Sequence, residues 1–345
     1  MNSGRLAASP VLRTVLMSAL LVLVALTSAC GGGMDWRKQT LQVTAAGYQF
    51  DGTQIQQAGW SGSAVWLDNR TILTNAHVAG KALKMEGKDD YGTSYTFDKI
   101  LSLNEDLDIA VLQVSGQSEV GELKLVERPD DPKSLRGTKV QAIGNTGGQG
   151  LSVYSGEVTN VVGEKGAENI VHSADISSGS SGGPLYDMDG NLLGVNKAIN
   201  LALRQSFATP AWQAKTVVDD ARGNAGAALS DAFSPKDLPV SIDVKRDICL
   251  EPDQKLVLSA QVVGTADLVA MVKFTTTDTP LFFGLIRGDQ LMSKGVLTQD
   301  LIAAWTLPGS GVYAVLVVNP PQATTKACAS VAMGRLDWKK RISSK

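Results

Sequence analysis

Residues 177–185 read SSGSSGGPL and run directly into YDMDGNLLGVN (186–196). Four serines and three glycines in nine positions would suit a flexible linker. A linker, however, has no use for a Gly-Gly-Pro stop followed by a hairpin-like run around Asp189-Gly190. A loop that must hold one serine rigidly does. Serine keeps its proton at neutral pH, so it becomes a nucleophile only beside a base that can take that proton and return it. Only Ser181 is followed by Gly-Gly-Pro, which favours it over Ser177, Ser178 and Ser180. Glycines on both sides tolerate the turn conformations that aim backbone N–H groups at one point. The N–H groups of Gly179 and Ser181 are the expected donors to a developing oxyanion.

Working outward, the chain offers two histidines as the base. His77 follows an apolar run in TILTNAHVAG, and His172 sits in NIVHSAD, where a structural or exposed role is expected. A catalytic imidazole also needs a carboxylate to fix its tautomer. Asp108 opens the apolar run IAVLQV, with Asp106 two residues earlier as its rival. Asn145, in AIGN, reads as a turn residue, and GGQG (147–150) as a loop beside the cleft. Histidines this dispersed, without cysteine pairs, make no zinc constellation, so neither metal nor cofactor is expected.

Between 40 and 212 the chain is a succession of short apolar runs cut by Gly, Asn and Asp, the pattern of an all-β domain. A polar stretch at 115–136 with two prolines reads as a crossover between two β-barrels. Helical spacing is expected over 211–230. Beyond FSPKDLP, strand-like runs return, predicting a separate β-rich, sandwich-like module over 236–340.

The stretches LTNAHV, LDIAVLQV, AIGN and GSSGGPL, in that order, resemble the chymotrypsin-like serine proteases, most nearly the bacterial HtrA/Deg branch. The likeness covers roughly residues 45–220 and implies a double six-stranded β-barrel with the site between the barrels. It also implies endopeptidase hydrolysis of protein or peptide substrates, with His77 as base, Asp108 as its orienting acid and Ser181 as nucleophile. The domain is expected over 40–230. Ser180 stands where the branch usually has Asn. Asp175, six residues before Ser181, is a possible S1 pocket residue that would favour Lys or Arg before the scissile bond. The alternative is a protease-fold envelope sensor with a latent or inactive cleft. Residues 284–292 (GLIRGDQLM) faintly echo a PDZ turn, without the helices of that domain.

Residues 1–29 have Arg5 and Arg13 before an apolar run and small residues before Cys30, the form of an export signal. LTSACG resembles a bacterial lipobox with its leucine one place early. That likeness implies lipidation at Cys30, a tether over 30–39 and a lipid-anchored place on the periplasmic side of the cell envelope. A plainly cleaved signal and an uncleaved anchor are the alternatives. With Cys30 set aside, Cys249 and Cys328 remain, expected to form a disulfide in an oxidising compartment, the alternative being two separate buried thiols. A net charge of −2 leaves no basic surplus for phosphate contacts, which argues against a nucleic-acid partner. Oligomeric state is not legible.

Overall fold

The computed structural model describes residues 35–343, apart from 53, 201–204, 230–233, 235–237, 263–265, 276–279, 298–299 and 308–310. The signal, Cys30 and most of the tether lie outside the described residues. Among the described residues, no helix is long and apolar enough to cross a membrane.

Alternation builds the first barrel. In β1 (Thr40–Gly52), Leu41, Val43 and Ala45 are buried while Gln42 and Thr44 face outward. A register shift at Ala46/Gly47 then turns Tyr48 and Phe50 inward as well. Only glycine fits at that bend, because a Cβ on Gly47 would stand 2.0 Å from the Lys81 carbonyl oxygen. β1 pairs with β2 (Gln54–Trp66), β2 with β3 (Thr71–Thr74), and β3 with β6 (Ile109–Val114). β6 pairs with β5 (Ser94–Asn104), and β4 (Ala82–Lys88) pairs with both β5 and β1, closing a ring of six.

The second ring is β10 (Pro184–Asp187), β11 (Leu192–Asn200), β12 (Gln205–Pro210), β9 (Asn169–His172), β8 (Ser152–Val162) and β7 (Lys139–Gly144). Its core is aliphatic and includes Val140, Ala142, Val158, Ile170 and Leu185. Two six-stranded barrels are thus present, as the all-β reading requires.

After the second barrel comes a helix, Ala211–Ala221, which buries Ala214, Val217 and Val218. It stops short of residue 230. Gly223 follows, Gly226 takes φ +70°, and β13 (Ala227–Ala228) pairs with β5.

The C-terminal region forms two sheets around one core that includes Leu268, Phe283, Trp305 and Tyr313. One sheet is β19 (Leu301–Leu307), β16 (Ala266–Phe274), β21 (Ala327–Leu336) and β14 (Val240–Leu250). The other is β15 (Lys255–Val262), β20 (Gly311–Val318), β17 (Leu281–Arg287) and β18 (Gln290–Leu297). GLIRGDQLM is the β17–β18 hairpin of the second sheet. β19 also pairs with the end of β1, Asp51 opposite Trp305 and Gly52 opposite Ala304. The first barrel's sheet therefore runs on into the sandwich.

Cys249 and Cys328 face each other across β14 and β21 and are joined as a disulfide spanning 79 residues of sequence. In the chain-entropy view, a loop of that length contributes about 4 kcal/mol. Replacing both cysteines by alanine is expected to lower the unfolding free energy by about that amount. Denaturant titration with and without reductant checks this, and an unchanged midpoint would count against it.

Candidate active site

His77 sits on a single turn, Ala76–Ala79, that follows β3 directly. At the start of that turn, the Asn75 side-chain amide donates to the Asp108 carbonyl, 2.8 Å away. Asp108 ends the turn between β5 and β6 with φ +56°, a left-handed conformation that Asp tolerates better than most residues. Its carboxylate accepts from the His77 backbone N–H at 2.9 Å. The two carboxylate oxygens also lie 3.0 and 2.8 Å from His77 Nδ1. An ionised carboxylate only accepts, so Nδ1 carries the proton and Nε2 keeps its lone pair. The imidazole is 42% exposed and the Asp108 side chain 18%. The imidazole is thus open to solvent, and the carboxylate is the more shielded of the two. Asp106, the rival carboxylate, is exposed in the turn.

The serine loop is pinned from several sides. Ser180 N–H donates to Ser177 O at 3.0 Å, and Gly183 N–H to Ser180 O at 3.0 Å. Gly182 N–H donates to Asn196 O at 2.8 Å, and Asn196 N–H returns to Gly183 O at 2.9 Å. Ser63, on β2, clamps the loop to the first barrel. Its N–H donates to Ser181 O and its hydroxyl to Gly179 O, both at 2.8 Å. Gly147 N–H, from the neighbouring glycine-rich loop, donates to Ser178 O at 2.8 Å. Among the described residues, the N–H groups of Gly179 and Ser181 meet no protein acceptor. They are the two donors the loop leaves available for an anionic oxygen.

Gly62 brings loop and histidine together. A Cβ there would stand 3.0 Å from Val78 Cγ1 and 3.3 Å from Ser181 O, so the residue after His77 and the proposed nucleophile pack on one glycine. Ser180 is buried, and its hydroxyl lies 2.9 Å from that of Thr146. That gives it a structural partner and separates it from Ser181.

Asp175 is exposed between buried Ala174 and Ile176. His172 is fully buried in the second barrel, where burial pushes it down to about 4 and keeps it neutral. Lys197, which the sequence reading passed over, follows Asn196 on β11. Burial lowers its ammonium pKa and the nearby Asp108 opposes that shift. A cavity of about 600 Å³ lies between the crossover and the 211–221 helix, lined by Leu123, Val126, Trp212 and Val218. It contains none of His77, Asp108 and Ser181. Among the described residues, no cluster of His, Cys, Asp or Glu is arranged to hold a metal ion.

Gly182 has φ +87°, and a Cβ on it would stand 2.1 Å from Thr74 Oγ1 and 2.2 Å from Ser63 O. Gly182→Ala is expected to cost about 1–3 kcal/mol through overpacking and to reduce turnover about 10²-fold by displacing the loop. Thermal unfolding and kcat/KM on one preparation test both, and near-normal turnover would mean the loop is not held rigidly.

Residues 62–195 match the family model of the trypsin-like peptidase domain. The chain is 27% identical over 268 residues to the periplasmic pH-dependent serine endoprotease DegQ of Escherichia coli, covering 75% of this chain and 56% of that protein. It is 30% identical over 168 residues to Protease Do-like 1, chloroplastic, of Arabidopsis thaliana (46% of this chain, 37% of that protein). It is 34% identical over 157 residues to a probable periplasmic serine endoprotease, DegP-like, of Bartonella henselae (43% and 30%). The chain thus spans between about a third and about half of the length of these relatives. The matched region thus resembles a trypsin-like peptidase domain, and the chain is similar to these serine endoproteases.

Proposed function

We propose that this chain, with a trypsin-like peptidase domain over residues 62–195, is a serine endopeptidase of the cell envelope. His77 is the general base, Asp108 holds its tautomer, and Ser181 attacks the peptide carbonyl. The observation that carries this reading is the Asp108 carboxylate bonded to His77 Nδ1 at 2.8 Å, which leaves Nε2 free as the base. In the first half-reaction, Ser181 Oγ adds to the carbonyl carbon while its proton passes to His77 Nε2. The oxygen, now negative, is held by the Gly179 and Ser181 N–H groups. The amine leaves with the proton returned by His77, and water then repeats the sequence to release the acid. The side chains and backbone donors named here supply each step.

The names of the E. coli and B. henselae relatives support a periplasmic location. The LTSACG stretch supports a lipid anchor at Cys30. The test is labelling of the mature protein by a fluorophosphonate probe beside its Ser181→Ala variant. Labelling of the wild type alone is expected. Equal labelling of both, or of neither while both remain folded, would overturn the assignment.

A further inference from the structure

The turn carrying His77 is held at one end by Asn75 and Asp108. Its other end, Gly80 to Ala82, is held by residues from the far C-terminal part of the chain. Arg341 Nη1 donates to Gly80 O at 2.6 Å and to Ala82 O at 2.9 Å. Between these carbonyls, Lys81 Nζ meets Asp267 Oδ1 and Thr306 Oγ1, each at 2.7 Å. Asp267 is 5% exposed, and its second oxygen accepts from Trp338 Nε1 at 2.9 Å. Trp338 is buried against the first barrel. Its ring lies 6.0 Å from Tyr48 and 6.2 Å from Phe50, and a Cβ on Gly80 would stand 3.2 Å from Trp338 Cγ. A small cavity of about 50 Å³ is bounded jointly by His77 and Asp108 on one side and Lys81, Asp267, Thr306 and Trp338 on the other.

We propose that the C-terminal region completes the catalytic centre, with Asp267, Trp338 and Arg341 as positioning residues that fix the turn bearing His77. This rests on the serine-protease reading. The chemistry is suited to holding a backbone. A guanidinium between two carbonyls fixes their separation, and a buried carboxylate with three donors cannot swing away without leaving charges unpaired. A histidine displaced by about 1 Å can lose about 10²-fold in rate, so small slack in this turn has a large effect.

The test uses the full mature chain labelled with ¹⁵N-histidine. His77 and His172 are the two histidines present, so the spectrum carries its own control. His172 reports the second barrel, and the His77 Nδ1–H signal reports the bond to Asp108. Arg341→Ala and Asp267→Asn are each expected to lower the fluorophosphonate labelling rate roughly ten- to hundredfold. Both should also shift or broaden the His77 signal and leave that of His172 in place. Arg341→Lys, which keeps a donor toward the same carbonyls, should recover part of the rate. Should Asp267→Asn fail to fold, the two Arg341 variants decide. A rate within twofold of wild type, or an unmoved His77 signal, overturns the proposal. If the wild type itself takes no label, the serine-protease reading fails and the His77 signal alone judges the clamp.

Discussion

Ser181→Ala is expected to reduce peptide hydrolysis by up to about 10⁶-fold, because on the proposed reading it removes the oxygen that forms the acyl bond. Stability should change by no more than about 0.5 kcal/mol. Ser181 is held through its carbonyl, which accepts from Ser63 N–H, and that bond survives the substitution. Hydrolysis of a denatured protein substrate and thermal unfolding on the same sample separate the two effects. Ser180→Ala is the informative companion. It removes the contact with Thr146 and should cost about 1 kcal/mol, with far less effect on turnover. Were Ser180→Ala the inactive variant and Ser181→Ala the active one, the nucleophile would have been misassigned.

Asp108→Asn should lower kcat by about 10⁴-fold. The backbone at 108 is left-handed, and Asn occupies that region as readily as Asp, so the turn should survive. An amide oxygen can still accept from His77 N–H. The amide nitrogen, however, would donate to His77 Nδ1, placing the imidazole proton on Nε2, where it blocks attack. The variant therefore isolates charge and tautomer from geometry. Steady-state kinetics near neutral pH, with a crystal structure or unfolding curve to verify the fold, is the measurement. A loss smaller than tenfold would mean that another group orients His77.

The parts of this molecule that could be read from its sequence are those made by near neighbours. LTNAHV places a histidine immediately after an inward-facing strand, and Ser177 to Gly183 bond to one another across three residues. The barrels are legible because short apolar runs are cut at near-regular intervals by Gly, Asn and Asp, with one polar crossover between two groups of them. What escaped the reading is built from distant residues without local markers. Ser63 reaches Gly179 across 116 positions, and Lys81 reaches Asp267 across 186. GWSGSAV looks like any strand, and a lone Asp in ADLVAMV looks like any turn-facing acid. The over-long helix expected past Ala221 fails for a local reason, since Gly223 and Gly226 interrupt it before β5 captures Ala227. The junction of β1 with β19 rests on two residue pairs, too few to leave a pattern.

Arg341 and Gly80 stand 261 residues apart. A chain made at roughly 5–20 residues per second needs on the order of 13–52 s to travel from one to the other. For about the second half of that interval, after Pro210, every strand of both barrels has been made, Ser181 included, while the carbonyls of Gly80 and Ala82 still lack their guanidinium. The contact that steadies the histidine turn can form only after both barrels have been made. Order in the histidine turn therefore depends on a segment made well after the barrel that carries the turn.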